Sequence, residues 1–192
     1  WCKQPQILVN GTTVKTDTVN GISIIQRTWK NGDVVELKLP MHVNVTYWYD
    51  NAAVINHGPL LYALKMEENW QKVKFEDKKK GQKFGEWYYE VTSESAWNFA
   101  LPKKNLSLNQ ITDNFVVNRS TDIPKYPWSS TETPIVIKTK AHKIPRWKSY
   151  DGSTGPINFF SQKSDDIIKE TEDIELIPYG CTTLRITEFP VR

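Results

Sequence analysis

The feature that most restricts this chain is a two-residue hydrophobic period that recurs along its length, while the 3.6-residue period of helices is nearly absent. In "VVELKLP" (34–40), Val35, Leu37 and Leu39 fall on one face, with Glu36 and Lys38 on the other. "HVNVTYW" (42–48) alternates again, with Val43, Val45 and Tyr47 opposite His42, Asn44, Thr46 and Trp48. Successive strand side chains point to opposite faces, so this spacing buries one side of a sheet. "ISIIQRTW" (22–29) is β-branched and bounded by the turn pairs Asn20-Gly21 and Asn31-Gly32. These signals predict a hairpin of 22–29 with 34–39 across "KNGD". "PLLYALK" (59–65), after a His-Gly-Pro turn, reads as a mostly buried strand.

Composition then shifts. "EENWQKVKFEDKKKGQK" (67–83) is polar and lysine-rich, and reads as a solvated connection between two β-units. Lys78, Lys79 and Lys80 could meet phosphate, but no aromatic-and-basic groove motif accompanies them. Further strands are expected at 86–92, 97–101, 114–118 and 134–144. In the last of these, Ile135, Ile137 and Thr139 oppose Val136, Lys138 and Lys140. Prolines 102, 124, 127, 134 and 145 stand at strand ends, where a missing N–H does little harm. The acidic run "SDDIIKETEDIE" (164–175) has the signals of a short helix capped by Ser164. The terminal "IELIPYGCTTLRITEFP" (174–190) reads as a returning strand that pairs far back in the chain. Pro178 and Gly180 shape its turn, and Leu184 and Ile186 supply its apolar face. Frequent short strands with turn signals mean an all-β fold, sandwich or barrel.

At 192 residues the chain is long enough for one large β-domain or two small ones. A net charge of +3 is too small to argue for a nucleic-acid or membrane-surface partner. No stretch approaches the ~20 apolar residues that span a bilayer. The opening "WCKQPQILVNG" runs straight into a strand pattern with no Met, and reads as the interior of a longer polypeptide.

Local chemistry is sparse. Cys2 and Cys181 are too few for a four-ligand zinc site; they are either one bridge or two thiols acting as small hydrophobes. His42, His57 and His142 are scattered, with no metal-ligand spacing. Glu188 and Glu94 are the mild candidates for an acid/base carboxylate, and neither has a context that argues for a raised pKa. No catalytic residue, metal site or cofactor is therefore assigned. Eight Trp are a heavy load for this length. Trp87, Trp97, Trp128 and Trp147 lie in loops or near strand ends, where a stacking platform for sugar rings would sit; Trp147, Trp97 and Trp128 are taken as its residues. Trp147, flanked by Arg146 and Lys148, is the one expected to be partly exposed.

"RTWKNGDVVELKLPM" (27–41), "NHGPLLYALK" (56–65), "WNFAL" (97–101) and "IELIPYGCTTLRITEFP" together resemble the C-terminal β-sandwich region of the β-L-arabinofuranosidase family, glycoside hydrolase family 127 and its relatives. The resemblance runs in order over nearly the whole chain. It implies two jelly-roll-like β-sandwiches, the second inserted into the first. Residues 1–70 plus 171–192 would form the first, lacking its opening strands, and 71–170 the inserted one. That nesting would place Cys2 and Cys181 in one domain. The family's catalytic (α/α)6 barrel, with its zinc, its ligating cysteines and its glutamate, has no counterpart in these residues. The resemblance thus implies a non-catalytic accessory region supporting a barrel outside the chain, in an extracellular or periplasmic protein. The alternative is a stand-alone carbohydrate-binding module for plant-derived oligosaccharides. Neither reading involves nucleic acid or a membrane.

Overall fold

The computed structural model describes residues 1–76, 83–150, 152–156 and 167–192. These fall into two compact units, Trp1–His42 and Val43–Arg192. Both are built from strands, with only short helical turns between them, as the period-2 pattern requires. Among the described residues no helix is long and apolar enough to cross a membrane.

The first unit contains β1 (Gln6–Val9), β2 (Thr12–Thr13), β3 (Asp17–Val19), β4 (Ile22–Ile24) and β5 (Val35–Lys38). The sheet order is β2-β1-β5, and β3 pairs only with β4. Asn10-Gly11 and Asn20-Gly21 make the two tight turns, all four residues at positive φ, which suits Asn and Gly and matches strand twist. The expected hairpin of 22–29 with 34–39 does not form. Instead β4 turns back on β3 across Asn20-Gly21, and β5 pairs with β1.

A polar clasp explains the difference. Asn10 donates from Nδ2 to Asp33 Oδ1 (2.8 Å) and accepts at Oδ1 from the Val34 N–H (2.9 Å). Asp33 Oδ2 accepts from the Lys30 N–H (2.8 Å), which closes the 30–33 turn on itself, and lies 3.4 Å from Arg27. The Lys30 N–H, and then the Asn10 amide, hold the Asp33 carboxyl below its ordinary value. The "KNGD" segment is thus a turn that hands the chain to β1.

The second unit contains β6 (Val43–Tyr47), β7 (Ala53–His57), β8 (Leu60–Leu64), β9 (Asn69–Lys74), β10 (Trp87–Thr92), β11 (Phe99–Ala100), β12 (Val116–Arg119), β13 (Ile135–Lys143), β14 (Ser149–Tyr150), β15 (Ser153–Thr154), β16 (Thr171–Pro178) and β17 (Glu188–Phe189). The main sheet runs β11-β13-β16-β8-β7-β17, with β12 also on β13 and β6 also on β7. β16 is shared. Its residues 171–176 pair antiparallel with β13, and 176–178 pair with β8. Ile137, Thr139 and Ala141 of β13 are buried, while Lys138 and Lys140 reach out to Glu175 and Asp173 of β16. Ile55, Tyr62, Leu64, Ile137, Leu176 and Phe189 are fully buried at the centre of the core.

Two further expectations are corrected. The front of the lysine-rich segment is not a connection but strand β9, paired over six positions with β10. Half-buried Val73 and Phe75, alternating with exposed Lys72 and Lys74, supply the alternation that the lysine content obscures. Lys78, Lys79 and Lys80 lie outside the described residues. The acidic run is strand from Thr171 onward, because Ile174 and Leu176 are needed in the core and the flanking Asp173 and Glu175 pair with lysines. Ser164 lies outside the described residues. Cys2 lies in the first unit and Cys181 in the second, and both are free thiols.

Leu176, fully buried between two strands, and Leu37, 57% exposed, predict opposite outcomes on truncation. Leu176→Ala should cost about 2–5 kcal/mol in urea unfolding. Leu37→Ala should stay within about 0.5 kcal/mol. Equal losses at the two sites would contradict this core assignment.

Candidate functional site

Two clefts open on the second unit. The larger, ≈ 830 Å³, has buried Leu64, Met66, Phe99 and Ile174 in its lining. Lys65, Glu67, Glu68, Ser95, Asp173 and Glu175 are among its polar walls. β8, β16 and the start of β9 set these positions, since the alternation that buries Leu64 and Ile174 turns Lys65, Asp173 and Glu175 outward.

Three of its carboxylates, Glu68, Asp173 and Glu175, are acceptors already engaged. Glu68 Oε1 accepts from Thr182 Oγ1 (2.7 Å) and from the N–H groups of Thr183 and Leu184 (3.1 Å for Leu184); Oε2 accepts from the Trp70 indole (3.2 Å). Burial pushes the Glu68 carboxyl up, but the bonds from Thr182, Leu184, Thr183 and Trp70 together outweigh it and leave the pKa lowered. Glu175 is held below its ordinary value first by Lys65 (2.8 Å) and then, against some burial, by Lys138 (3.2 Å). Glycoside hydrolysis by a carboxylate pair needs one acid with a raised pKa. Neither Glu68 nor Glu175 is such an acid; Glu68 instead pins the 182–184 turn to the start of β9.

The smaller cleft, ≈ 310 Å³, is lined by Tyr49, Trp147, Thr154, Gly155, Arg185 and Glu188 among others. It brings together Trp147 and Glu188, which were singled out separately in the sequence. Trp147 is not the exposed ring expected of it. It is 2% exposed, packed edge-on against Trp97 (5.1 Å between centroids), with its indole N–H donated to Gly155 O (2.8 Å). Asn98 ties the backbone beneath it by donating to Ile144 O and Trp147 O. Arg146 and Lys148 misled because flanking charges on a loop do not report where the ring between them points. Trp97 is half-buried at the same contact, between the two apolar clusters. Trp128 is the expected platform that does present its ring, 50% exposed. A Cβ at Gly180 would sit 3.3 Å from Trp128 Cε3, so Gly180 is the residue that lets this ring close on the 179–181 turn.

Tyr49 and Arg185 had no sequence signal beyond their places in a turn and in the terminal strand. Arg185 donates to Thr182 O (2.9 Å) and stacks 4.3 Å from the Tyr179 ring, which fixes its guanidinium at the cleft wall. Glu94 is exposed on the loop after β10.

Among the described residues no group of three His, Cys, Asp or Glu side chains could hold a metal ion. Cys181 is buried, its thiol donates to Pro127 O (3.4 Å), and burial pushes its pKa up, so a thiolate ligand or nucleophile is disfavoured there. These residues do not fit the zinc that the resemblance associates with the family's barrel. His57 is also buried, accepting from Arg119 (3.0 Å) beside Tyr62, whose hydroxyl burial pushes up to about 12.

The Glu68 clasp makes a pH prediction. A carboxyl lowered by folding stabilises fully above its unfolded value, near 4.5, and that contribution is lost as pH falls through the lower folded value. Glu68→Ala should cost about 1–2 kcal/mol at neutral pH, the partial exposure limiting the effect. The difference between the parent chain and the variant in denaturant melts should shrink below pH 4.5. A difference independent of pH would rule out the ionised clasp.

Comparison with known proteins agrees with the all-β architecture. A profile of the β-L-arabinofuranosidase GH127 middle domain matches residues 1–41, nearly the whole of the first unit. No curated protein sequence matches the chain. Among solved structures, a protein described as a glycoside hydrolase matches 100% of this chain and 26% of its own, at 20% identity and a TM-score of 0.54. A GH127 β-L-arabinofuranosidase from Geobacillus stearothermophilus T6 matches 100% of this chain and 25% of its own, at 17% identity and a TM-score of 0.56. A GH127 β-arabinofuranosidase matches over 98% of this chain and 23% of its own, at 18% identity and a TM-score of 0.52. The chain thus spans about a quarter of the length of these structures and shares the fold of that part.

Proposed function

We propose that this chain is a non-catalytic accessory β-region of a glycoside-hydrolase protein, supporting a catalytic (α/α)6 barrel that lies outside it. The observation that carries this is the uncovered apolar face of the first unit. The register of β1 with β5 sets Ile7 opposite Leu37 and Val9 opposite Val35, so these four share a face. Val35 and Leu37 remain exposed there, with Leu39 just past the end of β5, beside half-buried Ile7 and buried Val9; elsewhere on the unit Ile22, Ile24 and Trp29 are exposed. Apolar exposure on this scale marks a surface that meets a partner. The middle-domain match over the same residues supports a larger protein of this family as the source of that partner.

The nested organisation, 1–70 plus 171–192 around 71–170, belongs to this proposal. Its support is β16, which pairs with β13 of the insert and β8 of the first sandwich; its counterweight is the contact division after His42. An extracellular or periplasmic setting is proposed on the same resemblance. A second reading, a carbohydrate-binding module for plant-derived oligosaccharides, keeps Trp128, Trp97 and Trp147 as its residues; the exposed Trp128 ring favours it.

The test is a pair of substitutions, Val35→Lys and Leu37→Lys. They should leave the melting temperature of this chain within a few degrees while abolishing its retention by the separately expressed catalytic region of the parent protein. Retention unchanged by both, or hydrolysis of an aryl arabinofuranoside by this chain alone, would defeat the accessory reading.

A further inference from the structure

β9 and β10 form a two-stranded ribbon outside the main sheet. Its register sets Trp87 opposite Lys74, Tyr89 opposite Lys72, and Val91 opposite Trp70, so these six side chains share one face. All but Val91 are exposed, whereas Val73, Phe75 and Tyr88, on the other face, are half-buried, with Phe75 and Tyr88 4.7 Å apart. The solvent face is thus an aromatic row with lysines interleaved.

We propose that this row binds an acidic glycan, a chain of uronate sugars whose rings stack on Trp87, Tyr89 and Trp70 and whose carboxylates pair with Lys72 and Lys74. The lysines carry the charge argument. Their ammonium groups lie 5.1 and 5.6 Å from the centroid of the same Trp87 ring. Two cations held over one indole repel each other, and an anion seated between them relieves that repulsion. The rings are fixed as a platform must be. Trp70 packs edge-on against Tyr89 at 5.7 Å, and its indole N–H is anchored on Glu68. Consecutive same-face residues on one strand lie ~6.7 Å apart, which places Trp87 and Tyr89 as successive stacking positions.

The same face argues against two other ligands. A neutral sugar could stack on the rings but would leave the charges of Lys72 and Lys74 without an anionic partner. A nucleic acid needs a long basic track, and the six residues of this face supply two cations, Lys72 and Lys74.

The experiment titrates the 192-residue chain with an oligogalacturonate, a neutral arabino-oligosaccharide and a single-stranded oligonucleotide, read by calorimetry and tryptophan fluorescence. The uronate should bind saturably and more weakly as salt rises. Lys72→Gln with Lys74→Gln, and separately Trp87→Ala, should each weaken it about tenfold, with Tyr150→Ala, at another exposed ring, unchanged. Because the lysines are exposed, the double variant should keep the parent's circular dichroism and melt. No saturable uronate binding, equal binding of the neutral sugar, tighter binding of the oligonucleotide, or lysine variants that bind as the parent does would each overturn the proposal. None of these outcomes bears on the accessory role, which is read from retention by the catalytic region.

Discussion

The fold depends on one strand that belongs to two neighbours. β16 gives its first six residues to β13 and its last three to β8, and Leu176 stands opposite both Ile137 and Leu64. Those partners lie far back in the sequence, so the chain must close long loops before the strand gains anything. What offsets that entropy is the burial of Ile174, Leu176 and Ile177 in the core. Polar bonds then fix the register: Lys65 to Glu175, Lys140 to Asp173, and the Glu68 carboxylate to the 182–184 turn. The exposed ion pairs count for little singly. Glu68 counts for more, because it satisfies several donors of a turn that leaves the sheet before β17 rejoins it at β7.

Much of this was legible in the sequence where one rule dominated. The alternation of 134–144 predicted which β13 residues are buried, and the terminal run was readable as a returning strand. The errors came where two rules competed. Around "KNGD" a strong hairpin turn signal met a specific side-chain clasp, and the clasp of Asn10 with Asp33 won by directing β5 to β1. No local pattern announces a bond between residues 23 positions apart. In 67–83 lysine content hid a strand whose aromatics point to solvent, so the usual link between polarity and loops failed. In 164–175 acidic residues looked like a helix start, but the lysine partners of Asp173 and Glu175 lie on β13 and beside β8.

The candidate site was less legible, for a physical reason. A tryptophan in a loop is either a platform or a plug, and the difference lies in what closes over it. Trp147 is closed over by Trp97 and by the Gly155 carbonyl, neither adjacent in sequence. Trp128 closes on Gly180, which has no side chain to push it away, and still remains 50% exposed. The clefts follow the same rule: Arg185 and Tyr49 reach one cleft only because β17 pairs beside β7.

Two exposed hydrophobic surfaces remain, and their chemistry differs. The face of β1 and β5 is aliphatic, with valine, leucine and isoleucine that offer area but no direction; such a surface is satisfied by another apolar surface of similar extent. The ribbon face is aromatic and cationic, with rings held edge-to-face and ammonium groups held over indole; such a surface offers direction and charge but little continuous apolar area. Covering the first with a flat polar polymer would leave its area wet, and covering the second with an aliphatic wall would strip two lysines of water without replacing it. The two surfaces therefore call for different partners. An accessory region that packs on a catalytic domain through its first unit would still leave the second unit's ribbon free to meet a polysaccharide.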